Sequence, residues 1–154
     1  MDSQTAAFRP LMTLEIEVLP PVSLGRVDSA ELRVIPFVSG SFRGPELAGV
    51  LLPGGSDWQE VRPDGALEIR AHYLLETDRG ERIEVRSDGV RSGSAEALAR
   101  LAAGELLPAS EYYFRTAIRL RTGAARLSRL NGLLAFSIGE RRPSSVRLAV
   151  FELL

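Results

Sequence analysis

The chain has 154 residues, of which 45% are hydrophobic and 25% are charged, a balance typical of one folded domain rather than a disordered segment. Its formal net charge of −1 argues against a nucleic-acid binder, and the absence of cysteine excludes disulfides and thiolate metal sites. The N-terminal residues lack a secretory-signal pattern and no apolar run approaches the roughly 20 residues that span a bilayer, so we expect a cytoplasmic protein without a membrane partner.

Alternation of apolar and polar residues predicts most of the strands. The first strand, LMTLEIEVL, follows a flexible tail that we expect over residues 1–10, and it ends at Pro20-Pro21. In the next strand, ELRVIPFV, Pro36 marks a sheet edge or a bulge. The segment ALEIRAHYLLET, residues 66–77, shows the clearest alternation, and the turn TDRG joins it to the strand ERIEVRS.

A glycine-rich stretch, GPELAGVLLPGGSDW, interrupts this pattern between residues 44 and 58. Gly44-Pro45 and Pro53-Gly54-Gly55 have the composition of turns, because glycine adopts positive φ without a steric clash. Two interpretations of this stretch stay open. In the first it is a hairpin, and Trp58 plugs one end of a barrel. In the second the turn lets the backbone approach a ligand, and Trp58 supplies an apolar wall with an indole N–H donor.

The second half of the chain contains one predicted helix followed by more strands. SAEALARLAAGE predicts a short helix near residues 94–104, with Gly104 at its C-terminal end. Alternation resumes in EYYFRTAIRLRT, LLAFSIG and SVRLAVFEL, and ARLSRLNG is a candidate helical turn. The pattern predicts a single all-β domain, a closed antiparallel barrel of about eight to ten strands. A barrel is favoured over a sandwich because closure removes unpaired sheet edges.

No established catalytic signature is present in the sequence. GPELAG lacks the lysine and the spacing of a phosphate-binding loop, and there is no G-x-S-x-G motif. His72 is the only histidine, so a zinc or iron site of the usual type is not expected. We therefore predict neither a metal nor a cofactor.

Two polar strand faces are candidate sites. Arg70 and His72 share one face of the 66–77 strand, which is either a solvated exterior or a charged lumen where His72 acts as an acid or a base. Tyr113, Arg115 and Arg121 share a face of a later strand. That face is either an exposed basic surface or an inward Tyr-Arg pair that holds a carboxylate or an enolate.

Several ordered motifs cover nearly the whole chain from about Leu11: SGSFRGPELAGVLLPGGSDWQEVRPDG, AHYLLET, EYYFRT, an LN pair and GERRP. Together they resemble a bacterial family of unknown function, DUF3237, also called UPF0311. The resemblance implies a small closed β-barrel with one helix, and no established activity. It also implies a pocket near a set of polar and aromatic side chains: Asp57, Trp58, Arg62, Tyr113, Arg115 and Asn131. A local network of ion pairs at the turn is the alternative for Asp57, Arg62 and Asp64.

Three departures from the family pattern increase positive charge at the expected pocket. Arg70 and His72 stand where the pattern has an acid and an arginine, and Leu120-Arg121 stands where it has phenylalanine and glutamate. Arg129 replaces a tryptophan before the LN pair. We therefore expect a ligand that is an anionic, partly aromatic small molecule.

The expected function is binding of a small molecule inside a barrel, with catalysis as a cofactor-independent lyase, isomerase or cyclase. His72, Tyr113 or Asp57 would move protons, and Arg115 would stabilise an oxyanion. The residues expected to bind substrate are Trp58, Arg62, Arg70, Arg115, Arg121 and Asn131. The alternatives are a non-catalytic ligand-binding barrel and a structural homo-oligomer. The site prediction requires His72, Tyr113 and Arg115 to share one cavity, which a one-residue change of register would reverse.

Overall fold

The computed structural model of the protein describes residues 5–154. Most of these residues lie in strands, and three short helical segments connect them. The strands are β1 (Phe8–Val18), β2 (Val22–Val27), β3 (Ala30–Arg43), β4 (Ala48–Leu51), β5 (Ser56–Val61), β6 (Leu67–Thr77), β7 (Arg82–Ser92), β8 (Tyr113–Arg121), β9 (Ala135–Arg141) and β10 (Ser145–Leu153). The helical segments are the α-helix α1 (Ala95–Ala102) and two 3-10 helices, Ala109–Glu111 and Ala125–Gly132.

The strands form one antiparallel sheet that closes on itself. β1 pairs with β10 along one edge and with β3 along the other, and β9, β8, β7 and β6 follow β10 in order. β4 and β5 lie one after the other between β6 and β3, and β2 continues the path of β1 along β3. The barrel therefore has 8 strand positions and two additional strands, which confirms the predicted closed antiparallel barrel.

The glycine-rich stretch first reverses the chain and then interrupts a wall strand. Residues 44–47 close a hairpin between β3 and β4, and the Gly44 N–H donates to the Leu47 carbonyl at 2.7 Å. Residues 52–55 separate β4 from β5 and lie opposite residues 73–74 of β6, because Leu51 pairs with Leu75 and Ser56 pairs with His72. A Cβ atom on Gly55 would lie 2.5 Å from the Cβ atom of Tyr73, so only glycine fits at this position. The predicted hairpin therefore forms at the first turn of the stretch only, and the second turn, residues 52–55, is a bulge that brings β5 against Tyr73.

Burial alternates along most strands of the wall, as the side-chain period of two requires. On β6 the buried row contains Leu67, Ile69, Ala71, Tyr73 and Leu75. The other row of β6, which includes Arg70 and His72, faces outward. Most barrel strands therefore turn their more apolar row towards the barrel axis, because burial of a large aliphatic side chain contributes about 1.5–3 kcal/mol. On β5, by contrast, the inward row contains the polar residues Asp57 and Gln59.

The two halves of the barrel interior differ in chemistry. One half is filled with fully buried aliphatic side chains, which include Leu75, Ile83, Val85, Ile118 and Leu120. On the same strands, the inward positions of the other half are occupied by Ser87 and Arg91 of β7 and by Thr116 of β8. The polar half surrounds a cavity, whereas the aliphatic half forms the core.

The single α-helix follows β7 at the polar end of the barrel. Ser94 caps its N-terminus, because the Ser94 side chain accepts a hydrogen bond from the backbone N–H of Ala97 at 3.1 Å. Gly104, with φ of +86°, follows its C-terminal end, as expected for a glycine in the left-handed region. Ala97 and Leu101 are buried against the barrel. The helix predicted near residues 94–104 is confirmed.

The N-terminus differs from its prediction. A flexible tail was expected over residues 1–10, but β1 begins at Phe8 and pairs with the end of β10. Phe8 packs edge-on against Phe136 and Phe151, with ring centroids 5.4 and 5.5 Å away. Residues 1–4 lie outside the described part of the chain. Among residues 5–154, no helix combines the length and the apolar character needed to cross a bilayer.

Candidate functional site

The polar half of the barrel encloses a cavity of about 340 Å³. Its rim contains three segments from the same end of the barrel: Leu19–Pro21, the C-terminal part of α1 with Gly104, and Pro143-Ser144. Its apolar walls include Ile35, Phe37, Ile69, Phe114 and Leu148. The volume falls within the range of small-molecule sites, roughly 300–1,000 Å³.

Polar side chains from six strands converge on this cavity. They are Arg33 of β3, Asp57 and Gln59 of β5, Tyr73 of β6, Ser87 and Arg91 of β7, Thr116 of β8 and Arg141 of β9. Three of these side chains are arginines, whereas Asp57 is the one carboxylate that lines the cavity within residues 5–154. The site therefore has an excess of positive charge.

Asp57 is the candidate base in the cavity. Its Oδ2 atom accepts a hydrogen bond from Gln59 Nε2 at 2.7 Å, and its Oδ1 atom accepts one from the backbone N–H of Arg70 at 3.1 Å. Burial raises the pKa of Asp57, and this effect outweighs the two hydrogen bonds and the nearby positive charges of Arg91 and Arg33. A carboxylate with a raised pKa is a stronger base than one in water.

Gln59 links Asp57 to the first of the arginines. Arg33 donates a hydrogen bond from Nε to Gln59 Oε1 at 2.9 Å. The amide of Gln59 therefore has a defined orientation, because its oxygen accepts from Arg33 and its nitrogen donates to Asp57. Burial lowers the pKa of Arg33, and the charges of Glu31 and Asp57 oppose that effect.

Arg91 is a buried cation with an unsatisfied nitrogen. The residue is 8% exposed, and its Nε atom has no hydrogen-bond partner among the residues that the structure describes. Burial lowers the pKa of Arg91 to about 10, and the neighbouring positive charges of Arg141 and Arg33 add to this effect. The side chain is still charged at neutral pH, so its charge is available to a ligand.

Arg141 is held in place by backbone groups at the cavity rim. Its Nη1 atom donates to the backbone carbonyls of Arg142 and Ser145. Its backbone N–H donates to the hydroxyl of Tyr112 at 2.8 Å. Burial lowers the pKa of Arg141, and the charge of Arg33 lowers it further. Arg33, Arg91 and Arg141 thus repel one another, which an anion between them would relieve.

Tyr73 contributes a buried hydroxyl. The residue is 3% exposed, and within residues 5–154 its hydroxyl oxygen has no hydrogen-bond partner. Its ring packs edge-on against Phe37, with ring centroids 5.4 Å apart. Burial raises the pKa of Tyr73, and the charge of Asp57 raises it further. The phenol therefore stays protonated at neutral pH and can donate a hydrogen bond.

The strongest sequence candidates lie on the outer face of the barrel. His72 is exposed and pairs with Glu84, with 3.0 Å between Nε2 and Oε2. Tyr113 is exposed, and the Arg115 guanidinium lies 4.9 Å from its ring centroid. Trp58 is 51% exposed. The prediction that His72, Tyr113 and Arg115 share a cavity is therefore wrong, as are both proposed positions of Trp58.

The other predicted binding residues also lie outside the cavity. Arg70 pairs with Glu60 at 2.6 Å. Arg62 pairs with Asp64 at 2.7 Å, so these two residues form the ion pair at the turn that was the alternative expectation. Asn131 binds the backbone of residue 122 on the outer surface, near Arg121. Of the residues predicted from the sequence, Asp57 alone lines the cavity within residues 5–154.

Most of the predicted site residues lie outside the cavity because of the direction in which each strand turns its two rows of side chains. The site was expected on the polar rows, but burial of the apolar rows places those polar rows outside. The missed residues Arg91 and Tyr73 belong to apolar rows, and Arg91 has the same parity as Ile83 and Val85 of its strand. Arg33 also faces inward, although its row of β3 is the more polar one. A charge within an otherwise apolar row was the available signal.

Metal binding has no side-chain cluster to support it. Among residues 5–154, no group of three histidine, aspartate or glutamate side chains could hold a metal ion together. The polar groups of the cavity are mainly guanidinium, amide and hydroxyl groups. Such donors favour an anionic ligand.

The family described as "Protein of unknown function (DUF3237)" matches residues 6–153. The chain belongs to this family. A UPF0311 protein of Rhodopseudomonas palustris is 31% identical over 150 residues, which cover 97% of this chain and 98% of the relative.

Solved structures of similar proteins share the barrel. A conserved protein of unknown function from Rhodopseudomonas palustris has a TM-score of 0.93 at 30% identity, with 99% of both chains covered. A β-barrel-like protein from Acinetobacter baumannii has a TM-score of 0.86 at 33% identity, also with 99% of both chains covered. A structure described as an enzyme from Penicillium herquei has a TM-score of 0.75 at 16% identity, with 100% of this chain and 98% of that chain covered. The last likeness concerns the fold alone.

Proposed function

We propose that this DUF3237 protein binds a small organic anion with an apolar body inside the barrel. The observation that carries this proposal is the convergence of Arg33, Arg91 and Arg141 on a cavity lined by one carboxylate within the described residues. An uncompensated buried cation is unfavourable, because it has lost hydration without gaining a partner. An anionic ligand group would supply that partner.

The walls of the cavity support an apolar ligand body. Phe37, Phe114 and several aliphatic side chains line it between the polar groups. Apolar walls with a few polar groups are typical of small-molecule sites, since the walls supply affinity and the polar groups fix orientation. An aromatic ring that carries a carboxylate combines both requirements. The same reasoning supports the anionic, partly aromatic ligand expected from the sequence, although through different arginines.

A matched set of probes tests this proposal. We would compare cinnamate with its neutral amide, cinnamamide, and with inorganic phosphate, which has charge but no apolar body. At 100 times its Kd, a ligand stabilises the fold by about 2.7 kcal/mol, which raises Tm by roughly 5–10 °C for a domain of this size. We expect cinnamate to raise Tm and to bind by calorimetry, and the other two probes to have smaller effects.

Two arginine variants complete the experiment. Arg91→Met removes the buried cation, and we expect at least a tenfold loss of cinnamate affinity. Arg119→Met is the control, because Arg119 is exposed on the outer face of β8. Equal Tm shifts with cinnamate and cinnamamide would contradict the proposal. Unchanged cinnamate binding by Arg91→Met would contradict it as well.

A further inference from the structure

We propose that Asp57 and Tyr73 form an acid–base pair that moves a proton on the carbon beside the carbonyl of a bound aromatic 2-oxo acid. This inference rests on the proposed function, because the arginines would hold the carboxylate of the same ligand. The product is the enol or an isomer of the substrate, so the reaction needs no oxidant, reductant or cofactor.

Asp57 has the geometry of a base rather than of a purely structural carboxylate. Each of its oxygens accepts one hydrogen bond from the protein, from Gln59 Nε2 and from the backbone N–H of Arg70. A carboxylate oxygen has two lone pairs, so each oxygen has a second lone pair for a proton. The Gln59 amide, fixed in turn by Arg33, orients the carboxylate at the cavity wall. A held, buried carboxylate loses less entropy when it meets a C–H bond.

Tyr73 provides the complementary hydrogen-bond donor. Tyr73 lines the cavity, and in the described part of the chain its buried hydroxyl has no hydrogen-bond partner. Buried hydroxyl groups in folded proteins are usually hydrogen-bonded, so a buried exception calls for a ligand or water. Asp57 is close enough to raise the pKa of Tyr73 electrostatically. The two groups therefore face one cavity together.

The wall strands hold this pair rigidly. Asp57 pairs with Ala71 across β5 and β6, two residues before Tyr73 on β6. Phe37 supports one side of the Tyr73 ring, and Gly55 leaves the space beside its Cβ atom. The bulge at residues 52–55 thus has a direct consequence for the site, because any larger residue at position 55 would displace Tyr73.

The proposed step balances in protons and electrons. The Asp57 carboxylate takes a proton from the carbon next to the 2-oxo group, and the electron pair of the broken C–H bond forms the C=C bond of an enolate. The Tyr73 O–H donates a hydrogen bond to the enolate oxygen, where the negative charge develops. Asp57 then returns the proton to the enolate oxygen or to carbon. The positive charges of Arg91 and Arg33 stabilise the additional negative charge throughout.

The outer-surface cluster of His72 and Glu84 is a weaker candidate for proton chemistry. Both side chains are accessible to water, and Glu84 already pairs with His72 at 3.0 Å. Hydrogen bonding by His72 is the largest cause that lowers the pKa of Glu84. An exposed ion pair of this kind does not exclude water.

The test follows the benzylic protons of phenylpyruvate, an aromatic 2-oxo acid, by NMR in D₂O. We expect the wild-type protein to accelerate hydrogen–deuterium exchange and enol formation above the rate in buffer. Asp57→Asn should lower the exchange rate by about 100-fold or more, the usual contribution of a general base. Tyr73→Phe should lower it by roughly 100-fold, since it removes one oxyanion donor. Arg119→Met should exchange at the wild-type rate.

The pH profile distinguishes a base from a structural role. The groups that face Asp57 are Gln59, Arg33, the Arg70 backbone, Arg91 and Tyr73, and the arginines stay charged below the pKa of about 10 of Arg91. Below that pH the exchange rate should rise as the pH increases through the raised pKa of Asp57, because only the carboxylate takes up a proton. Asp57→Asn should abolish this rise while phenylpyruvate Kd changes by less than about fivefold.

The outcomes separate this inference from the proposed function. Phenylpyruvate binding without accelerated exchange would overturn the acid–base pair and leave anion binding intact. Exchange at wild-type rates in both Asp57→Asn and Tyr73→Phe would overturn the assignment of the two residues. Failure of both phenylpyruvate and cinnamate to bind would overturn the proposed function together with the inference. Circular dichroism and a thermal melt would show that each variant is folded. Gln59→Leu is an independent variant, because it releases the Asp57 carboxylate from the Gln59 amide. We expect it to lower the exchange rate.

Discussion

Replacement of Arg91 by methionine should make the protein more stable while it weakens ligand binding. The drop of the Arg91 pKa to about 10 corresponds to roughly 3 kcal/mol, at about 1.4 kcal/mol for each pKa unit. Because this folded-state pKa lies below that of the unfolded chain, charged Arg91 destabilises the fold at every pH below about 10. The penalty decreases as the pH rises through about 10.

Methionine fills a similar volume without a charge, so we expect the Arg91→Met free energy of unfolding to rise by about 1–3 kcal/mol at pH 7. Urea denaturation in a buffer without organic anions or phosphate measures this change. Arg119→Met is the matched control, because Arg119 lies on the exposed row of β8. A surface substitution of this kind should stay within about 0.5 kcal/mol of the wild type.

The combination of higher stability and lower affinity is the informative result. A residue that only packs the barrel would lose stability when it is replaced, and a residue that binds a ligand would lose affinity. If Arg91→Met were destabilised by 2 kcal/mol or more and still bound cinnamate normally, the reasoning from an uncompensated buried cation would be refuted. The polar half of the barrel would then be a structural core rather than a site.

Three further substitutions test the fold and the corrected site. Gly55→Ala should lower the free energy of unfolding by about 2 kcal/mol in urea, because its Cβ atom would lie 2.5 Å from that of Tyr73. His72→Ala should change cinnamate Kd by less than about twofold in calorimetry, since an exposed side chain on the outer face contributes little. Glu152→Gln should cost roughly 3 kcal/mol of unfolding free energy, because Glu152 is buried and accepts a hydrogen bond from Arg129 at 2.8 Å.

Each of these has its own control or contrary result. Gly123→Ala is the control for Gly55→Ala, since a Cβ atom on Gly123 would meet no atom of the described residues within 4 Å. A tenfold weaker cinnamate Kd in His72→Ala would place a binding residue on the outer face. Glu105→Gln is the control for Glu152→Gln, because it alters an exposed carboxylate. Equal losses of unfolding free energy in the two variants would show that burial of the carboxylate has no effect.

The outcome for the fold shows how far local patterns reach. Alternation along residues 66–77 predicted β6 and its two rows, and Gly104 predicted the C-terminal end of α1, because strand period and helix termination are local properties. The bulge at residues 52–55 could not be told from a hairpin. Both use the same turn residues, and only the pairing of β4 and β5 with the same two neighbours distinguishes them.

For the candidate site, the sequence identified Asp57 but not the side chains that surround it. Asp57 and Gln59 share one row of β5, whereas Arg33 and Arg91 lie far apart in the chain and meet only across the closed barrel. Their proximity depends on the register of several strand pairs at once. A pattern read along one strand contains no information about that register.

The sequence by itself thus determined most of the strands, the helix and the likeness of the fold to a barrel, because hydrophobic periodicity and turn chemistry act within short segments. The resemblance of its ordered motifs indicated the family. Only the tertiary structure decided which row of each strand faces the cavity. Burial of the apolar rows is a property of the whole closed sheet, and it carries along the few charged residues that these rows contain. Arg91 and Tyr73 therefore came inside, while His72 and Tyr113 remained in water.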